Sequence, residues 1–358
     1  MEPFEIQDNR TENAIRLMRG FADRTGLLSA SEIHGAGHRY LWTDAFAVCN
    51  FLGLADATGD SSYRILALRL VDRVHHDLGR HRKDDARTGW ISDLSEEEGE
   101  AHPTIGGLRI GKPLPERGPA EPFDPDLEWE RDGQYFHYLT KWAHALNRTA
   151  RSTGRSIHHL WARELMQTAY GSFTQGDPDA PRMVWKLSID LMTPLVPSMG
   201  QHDPLDGFVT CIDLQASAAE LRTETVGPSL EQAAAGFAGM IAARSLATSD
   251  PLGLGGLLVD ACRLADAAPE SHDLIAALLV ASASGLRELC DTRALSEPPN
   301  RRLAFRELGL AIGLEGIATL RQNGGFECLD ARCRALATTL APYVPLSREI
   351  ESFWCDPE

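Results

Sequence analysis

A repeat constrains this chain more than any other feature. The stretch WTDAFAVCNFLGLADATGDSSYRILALRLVDRV, from Trp42, reads as a helix, a Thr-Gly turn and a second helix. Shifted by 95 residues, HYLTKWAHALNRTARSTGRSIHHLWARELMQTA repeats that outline, so that Thr58-Gly59 meets Thr153-Gly154, and Ala67 with Leu70 meets Ala162 with Leu165. A single amphipathic hairpin cannot bury its own apolar face, so repeated hairpins must stack as a solenoid or close as a toroid.

Apolar residues recur with helical spacing almost throughout. The periodic segments cover about 9–26, 41–58, 61–79, 133–151, 156–173, 204–221, 228–247, 252–268, 270–291, 300–322, 329–342 and 346–354. No βαβ alternation interrupts them. DPLDGF from Asp203 echoes DPLGLG from Asp250, each placing a proline in the first helical turn, where its missing N–H costs nothing. The spacing between hairpins is irregular and one connection is very long, which favours closure over an open solenoid.

In this outline of paired helices, Thr-Gly turns and aromatic-rich helix starts, the chain resembles the six-hairpin glycosidase-like superfamily. That resemblance implies an all-α fold, an (α/α)6 barrel or toroid formed as one domain over residues 1–358. It also implies a pocket at the mouth where the inner helices begin. The superfamily holds glycoside hydrolases, unsaturated uronyl hydrolases, polysaccharide lyases and N-acylglucosamine 2-epimerases, so it implies sugar chemistry without fixing a reaction.

The connection at about 80–131 has no helical period, yet it carries Trp90, Ile105, Leu108, Ile110, Leu114, Phe123 and Trp129. A disordered acidic insertion would hold fewer such residues. A lid-like loop is expected, lying over the N-terminal end of the helix that follows.

Chemistry-bearing residues gather at three helix starts: EIHGAGHRYLWTDAF, WERDGQYFHYLTKW and VPSMGQHDPLDGF. Capping accounts for an aspartate or glycine at a helix start, but not for the histidines and aromatics beside them. In a toroid, alternate helices run parallel and these three starts converge. The candidate catalytic residues are therefore Asp44, Asp132, His137, His202 and Asp206. The candidate substrate-binding residues are Arg39, Tyr40, Trp42, Trp90, Gln134, Tyr135, Lys141, Gln201 and Asp203. On a helical wheel Gln134, His137, Tyr138 and Lys141 share a polar face, while Tyr135, Leu139 and Trp142 share a core face.

No metal or other cofactor is expected. His34 and His38 in HGAGH have HxxxH spacing, but the two glycines between them deny the rigid helix that such a pair needs. GLGGLL from Gly253 reads as helix packing, since no strand precedes it. Seven scattered cysteines without a CxxC pair read as buried reduced thiols of a cytoplasmic protein, with Cys49 and Cys211 the candidates for a nucleophile. A net charge of −16 argues against nucleic acid and anionic membranes as partners. The chain start MEPFEIQDNRTEN is not signal-like, and no apolar run is long enough to span a bilayer. The expected partner is a sugar or other small molecule, and the oligomeric state is open.

Two enzymatic readings follow. One is a carbohydrate-active hydrolase, of glycoside or unsaturated-uronide type, working through acidic residues with aromatic platforms for the sugar. The other is a cofactor-independent epimerase, isomerase or dehydratase with His137 and His202 as acid and base, and Lys141 or Arg39 holding a carbonyl or carboxylate. A non-enzymatic binding toroid is the third reading.

Overall fold

The computed structural model describes residues 3–28, 38–177, 180–223, 227–242, 244–322 and 324–355. It is all-α in class, built of stacked helical hairpins with a few short strands. The chain groups into two compact units, Met1–Asp203 with Ser217–Gly236, and Pro204–Ala216 with Phe237–Glu358.

The first unit opens with α1 (Pro3–Arg24) and continues into two hairpins, α2 (Leu41–Thr58) with α3 (Ser61–Leu78), and α6 (Phe136–Thr153) with α7 (Ser156–Phe173). All four of these helices have 18 residues, and the 95-residue offset holds at every boundary. The turns explain why. Gly59 and Gly154 stop α2 and α6 at φ 70° and 69°, a left-handed conformation that suits glycine. The threonine before each glycine bonds back to the carbonyl four residues earlier, and its hydroxyl accepts the N–H two residues on. Tyr40 and Tyr135, also 95 apart, occupy the N-cap positions of α2 and α6 in extended conformation.

Short elements fill the connections between hairpins. Segment 79–131 holds α4 (Glu96–Ala101), opened by a Ser95–Glu98 capping box, and the single turn α5 (Pro125–Glu128). Strand β1 (Gln134–Tyr135) pairs antiparallel with β4 (Lys186–Leu187), which pairs with β5 (Pro194–Val196). A separate ribbon joins β2 (Thr174–Asp177) to β3 (Ala180–Met183). Sequence periodicity assigns none of these strands. It also starts a helix at 133, whereas α6 begins at Phe136, so Gln134 and Tyr135 are strand residues and leave the helical wheel.

The second unit contains α8 (Asp203–Leu221) from Pro204 to Ala216, part of α9 (Glu231–Ala242), and α10 (Pro251–Ala267), α11 (His272–Thr292), α12 (Ala304–Gln322), the turn α13 (Gly325–Cys328), α14 (Ala331–Leu340) and α15 (Pro345–Cys355). Its core joins Leu254, Leu257 and Leu258 of α10 to Ile275 and Leu279 of α11, Leu310 and Leu314 of α12, and Ala337 and Leu340 of α14. Helices α10 and α12 cross closely. A Cβ at Gly255 would strike the Gly309 carbonyl and one at Gly313 would strike the Gly255 carbonyl, so GLGGLL packs helix on helix as its sequence suggested. Pro204 and Pro251 both lie in first turns, as the DPL echo predicts. No described helix is long and apolar enough to cross a membrane.

Candidate functional site

The long connection is fixed to the helix starts by buried polar side chains. Asp132 is fully buried. Its Oδ1 accepts the N–H groups of Gly111 at 2.9 Å and Lys112 at 3.2 Å. Its Oδ2 accepts Arg109 at 2.5 Å and Arg82 at 3.3 Å. Those arginines reach further, Arg109 to the carbonyls of Asp77 and Arg80, and Arg82 to those of Lys112 and Pro113. Gln134 works likewise: its carbonyl accepts Leu108 N–H, and its amide donates to the carbonyls of Gly106 and Ile189. The loop backbone then bonds the chain at the start of each helix, with Leu41 N–H to Ile110 O at 3.0 Å and Ile110 N–H to Gly133 O at 2.8 Å. The expected lid is thus a packed clasp across the starts of α2 and α6. Asp132 and Gln134 hold that clasp.

Trp90 packs within the long connection beside the end of α3, against His76 and Gly79, and is not part of the aromatic cluster around His137. It is buried under the Arg80 guanidinium, 4.4 Å from its ring, where it forms the core of the connection. Nearby, Trp142 donates to Nε2 of the buried His75 at 3.1 Å. Burial pushes His75 down to about 3, and His158 on the other side of Trp161 down to about 4. Both rings are therefore neutral packing groups.

Aromatic side chains do converge where α2 and α6 begin. Around His137 stand Tyr135, stacked at 5.4 Å, Tyr138 edge-on at 4.8 Å, Trp42 edge-on at 5.8 Å and Trp185 at 6.0 Å. Tyr40 and Tyr138 share a hydroxyl hydrogen bond of 2.5 Å, and Lys112 lies over the Tyr40 ring. Burial raises Tyr138 above its ordinary value, as does the neighbouring Tyr40. Trp129, half exposed, packs edge-on against Trp185. Tyr40, Trp42, His137 and Trp185 are half-buried, so the cluster has one face in the core and one outward.

Strand β4 brings Trp185 to this place. Trp185 O accepts Phe136 N–H, and Trp185 N–H donates to Ser198 O at 2.7 Å, so the stretch leading to α8 lies beside the start of α6. The indole Nε1 donates to His137 Nδ1 at 3.0 Å. An indole only donates, so Nδ1 must accept and the neutral ring carries its proton on Nε2. Beneath the cluster, buried Lys186 donates to Glu128 Oε1 at 2.9 Å and to two backbone carbonyls, with its ammonium over the Tyr135 ring. Burial lowers its pKa, and Glu128 opposes that shift.

Asp44 lies on the other side of α2 from Trp42. It accepts Tyr40 N–H at 3.3 Å and pairs with Arg39 at 3.7 Å, both side chains almost fully buried. Burial raises its carboxyl to about 7 despite Arg39. On α6, Lys141 is half-buried one turn below His137, with His144 and Arg148 following on the same face. At the third helix start, Gln201 is exposed, His202 is half-buried at the N-cap of α8, and Asp203 accepts Gly200 N–H. Asp206 belongs to the second unit, where Arg263 lies 3.8 Å from it, 3.1 Å from Asp213 and 3.7 Å from Asp260.

His34 lies outside the described residues, and His38 is exposed. All seven cysteines are free thiols; Cys211 and Cys333 are buried, but Cys290, Cys328 and Cys355 are exposed, so burial holds for only some of them. Burial pushes Cys211 up to about 12, which leaves it protonated and a poor nucleophile.

Of the candidates, the structure brings together Tyr40, Trp42, Tyr135 and His137. Sequence reasoning did not name Tyr138, Trp129, Trp185 or Lys186 as site residues. The aromatic, β-prone MVWKLS at 183–188 was the one signal for the last two. No family model, no curated protein and no solved structure matches this chain.

Proposed function

We propose that the first unit binds a small polar ring compound, a sugar or sugar acid, at the aromatic cluster, and that His137 moves a proton on it. The supporting observation is a half-buried imidazole surrounded by four aromatic rings, its tautomer set by Trp185. Aromatic faces stack on the C–H faces of sugars, and a histidine with its proton placed on Nε2 suits acid–base work near neutral pH. On this reading the protein is an isomerase or epimerase of a carbohydrate. Lys112 and Lys141 are the nearby cations for a carboxylate or carbonyl.

A hydrolase reading is favoured by a different residue. Asp44, raised to about 7 by burial, holds a carboxylic proton in about half of the molecules at neutral pH, the form that a general acid for a leaving oxygen requires. Closure of the hairpins into a single (α/α)6 toroid, like that of the six-hairpin glycosidase-like superfamily, and a cytoplasmic setting belong to the same proposal.

The test is thermal shift of the purified protein against neutral sugars, uronates, amino sugars and small carboxylates. A ligand at about 100 times its dissociation constant contributes about 2.7 kcal/mol, a shift of a few degrees. A sugar-specific shift lost in Trp42→Ala and retained with lost turnover in His137→Gln supports the isomerase. Lost turnover in Asp44→Asn with His137→Gln active supports the hydrolase. No shift with any sugar refutes the carbohydrate reading.

A further inference from the structure

In the second unit, α11 and α14 pack together and bring their first turns side by side. His272 is the first residue of α11; Asp330 is the N-cap of α14 and Cys333 lies three residues on. One ligand atom from each of the three lies within 4.8 Å of the others, the one such group found among the described residues.

Capping and packing explain part of this arrangement. Asp330 Oδ1 accepts Cys333 N–H at 2.7 Å, as an N-cap does. Cys333 is fully buried, and its thiol donates to the His272 carbonyl at 3.3 Å. Neither use involves the imidazole. Its Nδ1 is buried without a hydrogen-bond partner, a state that folded proteins rarely leave uncompensated. A thiol, a carboxylate and an imidazole this close together supply the ligand types that a metal ion takes.

We propose that His272, Asp330 and Cys333 form a divalent-metal site of the zinc class, with the fourth position open to water. A sulfur, a nitrogen and a carboxylate oxygen suit zinc, whereas magnesium and calcium take all-oxygen sets. Tetrahedral ligands at zinc distances stand about 3.5 Å apart, so the three side chains close by about 1 Å through rotation. On binding, the Cys333 S–H bond breaks, its proton passes to solvent and a sulfur–metal bond forms, with no change of oxidation state.

The test uses the full chain, stripped of metal by a chelator and titrated with Co2+ as the spectroscopic probe. The expected result is one equivalent bound with thiolate-to-cobalt charge-transfer absorption and tetrahedral d–d bands, both bleached by Zn2+. Cys333→Ser and His272→Gln lose these bands, whereas Cys328→Ser, at an exposed thiol, keeps them. Circular dichroism checks that each variant is folded. If Cys333→Ser does not fold, His272→Gln decides, and if neither folds the wild-type titration decides. A wild-type chain with no charge-transfer band in tenfold excess of Co2+ overturns the site, as does a band that survives in either folded variant.

Discussion

Asp132 offers the sharpest test of how the helix starts are held. Asp132→Asn keeps the shape but removes the charge, and its amide turns two N–H donors towards groups that are themselves donors. Four donors converge on this carboxylate, from Gly111, Lys112, Arg109 and Arg82. Arg109 is buried beside it, so the variant leaves a guanidinium facing no counter-charge at that position. Removing one member of a buried ion pair costs about 3–5 kcal/mol. For a folding unit of roughly 200 residues that lowers the midpoint by about 2–4 °C per kcal/mol, a fall of about 6–20 °C. The assay is thermal and urea unfolding followed by tryptophan fluorescence, with limited proteolysis of the 80–131 segment below the transition. Cleavage there should accelerate, because the carboxylate joins the segment to the start of α6. A midpoint within about 2 °C of wild type, with unchanged cleavage, would falsify the clasp and make Asp132 a candidate acid once more.

Three further outcomes follow from the same geometry. His75 and His158 are held by burial at about 3 and about 4, below the ordinary 6.5, so the unfolded chain takes up protons first; their contribution is complete above about pH 6.5 and is lost as pH falls towards 4. Each costs about 2 kcal/mol between pH 7 and 5, while Asp44, raised to about 7, takes up its proton in the folded state first and returns about 2 kcal/mol, so urea unfolding of Asp44→Asn should show the steeper loss on acidification. Gly111 has φ +86° and a Cβ there would collide with the Arg39 carbonyl, so Gly111→Ala should cost at least about 1–3 kcal/mol in the same assay, and a neutral result would contradict the described turn. Trp185→Phe removes the indole N–H while keeping a ring, so nitrogen NMR of His137 should show the Nδ1–H tautomer appearing, with about 1 kcal/mol of stability lost; unchanged imidazole shifts would show that Trp185 does not set the tautomer.

The helices were legible because their signals are local. Apolar periodicity marked every long helix, and Gly59 and Gly154 end two of them through a conformation that only the adjacent residues determine. The connection at 80–131 was legible only as apolar-rich. Its path depends on Asp132, Arg109 and Gln134, which bond groups 20 to 55 residues away and leave no periodic trace. The strands escaped for a related reason: β1 and β4 have two residues each, too few for alternation to register. The site follows the same division. Tyr40, Trp42, Tyr135 and His137 stand next to helix starts and could be named, whereas Trp185 arrives 48 residues after His137 through strand pairing. A helical wheel assigns Gln134 to the pocket face, and the strand β1 breaks that wheel.

The two ends of the hairpins in the first unit differ in a way that matters for chain surgery. The clasp and the strands attach where α2 and α6 begin; at the opposite end each hairpin closes through a two-residue turn at Gly59–Asp60 or Gly154–Arg155. An 18-residue helix is about 27 Å long, so those turns stand about that far from the aromatic cluster. Asp60 and Arg155 are exposed. They are the positions at which a fluorophore, a surface tether or new chain termini can be introduced with the aromatic cluster left open.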